Sequence, residues 1–429
     1  MTVQVDAAPT GAALFRPYWK RSFGSGHAAL TLRSDWQAHL KQARDDLGLQ
    51  GVRYHGLLDG VQNPASSCSW FVPCKLKTLS LAHAADDMGV VTAHHTYNFS
   101  KIFASWDYQL SLGLIPIVEL SFMPCVLAGC SWADPAGARP GHSNATVNAG
   151  KPPCSHLGMA YKEIQLPPVD WADWYHLIRA LVQAAERRYG AEEIKNWSFE
   201  CCECQCHTMQ QINVGFHQAN QAKLVLVVGN ELWGMAFPEP YMTLFNASVS
   251  AVKSVNPQYK VGGPATAQLN GYLGSTAAFA NESLRRGVPF DFVSTHFYPS
   301  SGVRTSFRPC AGGNEWDPQC FAKQMRQTKD ALPKGTPLYL TEYNAGCCIG
   351  HFQHDTAGAA AFAFRSVGEM DGVLDVMSWW TFSDVRISVC SQLETWPSAR
   401  SHLDRTLAED RYLKRLLCQK QSSQTYTVR

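Results

Sequence analysis

Eight short runs rich in β-formers alternate with helical stretches along most of this chain. That alternation constrains the fold more than any other feature of the sequence. The runs fall at residues 23–28, 51–55, 115–120, 196–200, 260–263, 292–297, 337–342 and 376–381. Helix-like segments fall between most of them, at 35–46, 108–112, 171–189, 240–255, 319–331 and 357–370. Strand and helix in strict alternation favour parallel strands, because each helix carries the chain back to start the next strand in the same direction. Eight such units predict an α/β fold of the closed kind, a (β/α)₈ TIM barrel, rather than an open sheet.

A barrel of this kind builds its site where the strands end and the βα loops begin. The polar residues at those ends are therefore the candidates. They are His55 in GVRYH, Glu119 in IVEL, Asn230 and Glu231 in VVGNELWG, His296 and Tyr298 in STHFYP, Glu342 in LYLTEYNAG, and Trp380 and Asp384 in MSWWTFSD. Taken singly, each has an ordinary explanation. A strand-end Glu is commonly a solvated charge, His296 reads as a satisfied core histidine, and Trp379 and Trp380 read as barrel filler. The ordered set is what points to a site.

Two carboxyl groups suffice to hydrolyse a glycosidic bond. One protonates the leaving oxygen, and the other captures or stabilises the sugar cation; in retaining enzymes they stand roughly 5–5.5 Å apart. Burial and a neighbouring carboxylate keep the acid protonated near neutral pH, while its partner stays ionised. Glu231 and Glu342 are far apart in sequence, so only barrel closure can bring them together.

The bulk composition agrees and excludes other classes. The chain has 429 residues, with 37 basic and 35 acidic side chains and a formal net charge of +2. That balance offers no electrostatic footprint for nucleic acid or an anionic membrane. Thirteen tryptophans suit an uncharged ligand with apolar ring faces, such as a sugar, although extra core aromatics would look the same. No run approaches the roughly 18 apolar residues of a membrane span, and residues 1–20 lack the pattern of a signal peptide. The expectation from these residues is cytoplasmic by default, with entry to the secretory pathway open if the N-terminus is incomplete. Oligomeric state is not legible.

At these motifs the chain resembles glycoside hydrolase family 39, the β-xylosidase and α-L-iduronidase family of the clan of retaining barrels. The resemblance is carried by SFGSGHAALTLRSDWQAHL, GVRYHGLLD, DDMGVV, YNFSKIFASWDYQLSLGLIPIVELSFMP and NELWG. It continues in VGGPATAQL, FDFVSTHFYP, PLYLTEYNAG and SWWTFSD. It implies a catalytic domain over residues 15–384, with Glu231 as acid/base and Glu342 as nucleophile. His55, Asn230, His296, Tyr298 and Trp380 fall on positions expected to line the sugar subsite. VELSFMP and TEYN have the xylosidase form, which implies release of terminal β-linked xylose or a related sugar. An α-L-iduronidase-like activity and an inactive carbohydrate-binding homologue are the alternatives. No metal or organic cofactor is implied.

Three stretches depart from the resemblance. Residues 60–85 separate GVRYHGLLD from DDMGVV, residues 201–229 separate NWSFE from NELWG, and the tail at 385–429 lacks the expected final helix. The resulting expectation is a barrel with atypical insertions and a truncated or altered C-terminal end, its tail poorly ordered. Family sequence resumes cleanly after each insert, as retained introns and a missed splice would produce. The second insert splits the fourth strand, and the apolar run 224–228 is the expected replacement that would carry Glu231 to the barrel top. The inserts and tail hold eight of the 15 cysteines, so cysteine number says little about redox compartment. Within the second insert, CCECQCH offers soft metal ligands at a spacing too tight for paired zinc knuckles.

Overall fold

A computed structural model of the chain describes residues 15–58, 88–124, 127, 167–201, 237–266, 276–299, 318–346 and 356–382. The described residues lie in a unit spanning Met1–Ser383; Asp384–Arg429 is a second unit. The barrel strands are β1 (Ser22–His27), β2 (Val52–His55), β3 (Ile117–Glu119), β4 (Ser198–Glu200), β5 (Lys260–Thr266), β6 (Phe292–Phe297), β7 (Leu338–Tyr343) and β8 (Val376–Trp379). The helices that follow them are α1 (Ser34–Leu47), α2 (Ser100–Ser111), α3 (Trp171–Tyr189), α4 (Tyr241–Val255), α5 (Thr276–Arg286), α6 (Pro318–Asp330) and α7 (Ala357–Glu369).

The eight strands form one parallel sheet in the spatial order β2, β1, β8, β7, β6, β5, β4, β3. The ends of that order, β2 and β3, meet at a seam. Backbone hydrogen bonds bracket it, from Ile115 N to Gln50 O (2.8 Å) below and from Leu58 N to Ser121 O (2.5 Å) above. The sheet thus curls into the predicted barrel, nearly closed at the seam where these two bonds bring its end strands together.

Period-two alternation sets the interior. Ile117, Phe292, Tyr339 and Val376 form an apolar cluster, with the Phe292 and Tyr339 rings stacked at 4.3 Å. Two residues further along the same strands come Glu119, Thr341 and Ser378, joined by Arg53 from β2 and Glu200 from β4, all buried. The barrel is therefore sealed by hydrocarbon below and becomes polar towards its strand ends, where chemistry occurs in this architecture.

The helices shield the sheet through ordinary amphipathic faces. In α3, Trp174, Leu177, Ile178, Leu181, Val182 and Ala185 are buried at helical spacing, and the Asp170 carboxylate caps the first turn by accepting from Ala172 N at 2.8 Å. Each large aliphatic residue buried there contributes about 1.5–3 kcal/mol. Trp174 Nε1 donates to Ser248 Oγ on α4 at 2.8 Å, which satisfies a polar atom that would otherwise be buried at a cost.

All eight strands form where the sequence places them, and α3 matches its predicted bounds. The fourth barrel position is filled by Ser198–Glu200, hydrogen-bonded to β3 on one side and β5 on the other. The residues before the second insert therefore suffice for that strand, and the barrel is not broken there. Residues 224–228, expected as a replacement strand, lie outside the described residues, as do the first insert and the tail. Helix α2 starts at Ser100, eight residues before its expected start, while α5 and a small hairpin before α2 (Val91–Ala93 with Thr96–Tyr97) are among the elements that the sequence reading does not name. The Gly- and Ser-containing stretch before α5 masks its start, although Phe279, Ala280 and Ser283 bury a consistent face.

Candidate active site

The site is organised around Arg53. Its position on β2 turns it into the barrel, where neither it nor its neighbours Glu119 and Glu200 have any side-chain exposure. Arg53 Nε donates to Glu200 Oε2 at 2.5 Å, Nη1 to Glu342 Oε1 at 2.9 Å, and Nη2 lies 3.0 Å from Glu119 Oε2. One guanidinium thus faces three carboxylates from β3, β4 and β7. Its planar fork of five N–H donors is the side chain suited to that task; a lysine ammonium could not reproduce the geometry. Thr341 Oγ1 donates to the other Glu200 oxygen at 2.8 Å, so both oxygens of that buried carboxylate are bonded.

Glu342 stands at the top of this arrangement. Tyr298 OH donates to its Oε2 at 2.7 Å, His296 Nδ1 lies 3.4 Å from the same oxygen, and His55 Nε2 lies 3.3 Å from Oε1. Burial alone would push this carboxyl up. The positive charge available from the histidines and Arg53, together with the Tyr298 hydroxyl, outweighs burial and holds it at about 2. His296 is itself fully buried, and that burial pulls it down to about 3. At neutral pH His296 is therefore uncharged, and the ionised state of Glu342 rests on Arg53, His55 and the Tyr298 hydroxyl.

His55 joins the two ends of the arrangement. Its Nδ1 lies 2.8 Å from Glu119 Oε2. Burial works against its charged form, but Glu119 and Glu342 overcome this and raise its pKa above the ordinary histidine value. An imidazolium with two N–H groups can donate towards both carboxylates, whereas a neutral ring serves only one. Glu119 is held below its usual range, because Arg53, His55 and the Ser121 hydroxyl outweigh its own burial. Ser121 Oγ donates to Glu119 and in turn accepts from Gly56 N at 3.1 Å, tying the site across the β2–β3 seam.

The apolar wall comes from β8 and β3. The Trp380 ring lies 4.5 Å from His55 between centroids, and the Phe122 ring lies 6.3 Å from it. Asn344 Nδ2 donates to Trp380 O at 2.7 Å and fixes that backbone. Gly24 makes room for the indole: a Cβ there would sit 2.5 Å from Trp380 Cε3.

Of the residues picked from sequence, His55, His296, Tyr298, Glu342 and Trp380 thus converge at one end of the barrel. Asn230 and Glu231 lie outside the described residues. Sequence reading passed over Arg53, Glu200, Ser121 and Thr341, and noted Glu119 without assigning it a place. A signal existed for some of them. If His55 points into the barrel, Arg53 two residues earlier must do so as well, and the same holds for Glu119 and Ser121.

Residues 1–64 and 230–396 match glycosyl hydrolases family 39, which is more than half of the chain. The protein belongs to that family. It is 28% identical over 374 residues to a β-xylosidase of Caldicellulosiruptor saccharolyticus, covering 86% of this chain and 61% of that one. A β-xylosidase of Geobacillus stearothermophilus is also 28% identical, over 394 residues, covering 89% and 64%. The chain thus spans less than two thirds of the length of these relatives. Among solved structures, the fold is similar to a family 39 enzyme from Xanthomonas axonopodis pv. citri (TM-score 0.60, 22% identity, 86% of this chain and 60% of that one). It is likewise similar to a monomeric β-xylosidase from Caulobacter crescentus (TM-score 0.57, 23% identity, 85% and 60%).

Proposed function

We propose that this protein is a retaining glycosidase that releases terminal β-linked xylose or a closely related neutral sugar. Glu342 is the nucleophile and Glu231 the general acid/base. The supporting observation is the state of Glu342, a buried carboxyl at a strand end, kept ionised by Arg53 and aimed by Tyr298. A carboxylate held in this way is a poor proton donor and a ready nucleophile, which is consistent with Glu231 carrying the acid role.

In the first step Glu342 attacks the anomeric carbon and forms a glycosyl ester, while Glu231 gives its proton to the departing oxygen. In the second step Glu231 takes a proton from water, and the resulting attack on the anomeric carbon releases the sugar and restores both carboxyls. Two inversions give net retention. The Tyr298 and Arg53 contacts keep Glu342 placed through both steps.

The neutral sugar is favoured over a uronic acid by how the site uses its cation. All three guanidinium nitrogens of Arg53 are engaged with protein carboxylates. His55, His296 and Tyr298 are further contacts of Glu342, and none of the three is a guanidinium or an ammonium.

The test is hydrolysis of an aryl β-xyloside by Glu342→Ala. The rate should fall by roughly 10⁴-fold or more. Azide should partly restore it, giving the α-azide by a single inversion. Near-normal turnover in the variant would remove Glu342 from the mechanism. Glu231→Ala with azide should instead give the β-azide, because azide then takes the place of water in the second step.

A further inference from the structure

Away from the catalytic carboxylates, three side chains from two separate elements converge at the surface. The hairpin before α2 carries His94 and His95 at its tip, and Asp173 lies in the first turn of α3. His94 Nε2 is 3.2 Å from Asp173 Oδ1, and His95 Nε2 is 2.8 Å from the same oxygen. The two imidazoles stack at 3.9 Å between centroids. One ligand atom from each of the three residues falls within 4.8 Å of the others. His176, one turn along α3 from Asp173, brings its ring to 4.6 Å from that of His95.

The two histidine–aspartate separations lie close to those of a metal's ligand set: a tetrahedral zinc with bonds of about 2.0–2.1 Å holds its ligand atoms about 3.4 Å apart, so small adjustments of the three groups would admit an ion. The donors are also of the right type, since imidazole nitrogens and one carboxylate suit zinc and its first-row neighbours rather than magnesium or calcium. Access is available: side-chain exposure is 69% for His94, 43% for His95 and 22% for Asp173. At the hairpin tip His95 has φ 54°, a left-handed conformation that few residues other than glycine adopt. Nothing in the proposed glycosidase mechanism uses any of these groups.

We infer that His94, His95 and Asp173 bind a divalent transition-metal ion of the zinc class, with water or His176 in the fourth position. The ion would clamp the hairpin that follows the β2 loop to the first turn of α3. Helix α3 follows a βα loop, so its first turn lies at the strand-end face of the barrel, and the clamp would brace the rim of the sugar site.

The experiment is equilibrium dialysis of the full chain against zinc, comparing wild type with His94→Ala/His95→Ala and with Asp173→Asn. The wild type should hold one more zinc per chain than either variant, with unchanged metal-free thermal melts. Because the chain is rich in cysteine, the same proteins are titrated with cobalt. The ion lost in the variants should show visible d–d bands without the near-ultraviolet charge-transfer band of thiolate ligands. Equal zinc content in wild type and variants would overturn the inference. So would a difference confined to the thiolate band. If the double variant has an altered metal-free melt, Asp173→Asn decides by the same two readouts.

Discussion

Replacing Arg53 by methionine tests the electrostatic organisation of this barrel directly. The substitution keeps much of the side-chain volume but leaves Glu119, Glu200 and Glu342 without their shared cation, all within a region with almost no solvent access. Removing one partner of a buried ion pair costs about 3–5 kcal/mol. Proton linkage agrees in sign: Glu119 or Glu342, left without its cation in that interior, is pushed above its unfolded value, and every tenfold change in proton affinity is worth about 1.4 kcal/mol. The loss at pH 8 is then about 4 kcal/mol, a large share of a typical domain stability of about 5–15 kcal/mol.

The sign of the pH dependence is the sharper readout. In the wild type, Glu119 and Glu342 titrate below their unfolded values. Both contribute stability above about pH 4.3 that is lost as pH falls through their lowered values, about 2 for Glu342. In Arg53→Met the trapped carboxyl titrates above its unfolded value, so its form of the folded state is favoured at low pH and weakened as pH rises. His55, with its raised pKa, adds stability at low pH in both proteins, so the comparison is of slopes. Urea denaturation between pH 8 and pH 5 should show the variant regaining about 3–4 kcal/mol relative to wild type. Parallel pH profiles for the two proteins would refute the account of Arg53 as a group that keeps Glu119 and Glu342 ionised.

Other outcomes follow from the same geometry. Tyr298→Phe removes a hydrogen bond to an ionised group, worth about 1.5–3 kcal/mol. It should lower kcat/KM for an aryl β-xyloside about 10- to 100-fold and move the acidic limb of the pH–rate profile upward; an unmoved limb would separate Tyr298 from the ionisation of Glu342. Gly24→Ala places a methyl 2.5 Å from the Trp380 indole, and overpacking of this kind costs about 1–3 kcal/mol. Its KM for the xyloside should rise, and unchanged kinetics would show that Trp380 does not bear on substrate. Excising 60–85, and 201–229 with a two-residue link, should leave an active enzyme. Activity of the full chain beside it would show that the inserts are tolerated, whereas activity of the excised form alone, with transcripts lacking both segments, would mark them as retained introns.

What the sequence determined by itself is the list of elements and the end of each strand at which chemistry is possible. The alternation of runs such as 292–297 and 337–342 with helices is local, because a buried parallel strand needs a continuous run of apolar and β-branched residues and a helix needs a 3.6-residue stripe. That is why Glu342, His296, Tyr298, His55 and Trp380 could be picked as strand-end residues. Misreadings occurred where local signals were weak, as at the start of α5, where glycine and serine precede a short amphipathic turn. Tertiary structure alone decided what those residues face. Arg53 in GVRYH reads equally well as a solvated charge. Only closure of the seam between β2 and β3 puts it in contact with Glu119, Glu200 and Glu342, carboxylates from three other strands. The charge state of Glu342 is a property of that closed interior, since the strength of each pairing depends on the water it excludes. Likewise, His94 and His95 are unremarkable in a loop until α3 brings Asp173 beside them. No periodicity encodes an encounter between segments this far apart, because it depends on the barrel's curvature rather than on either segment.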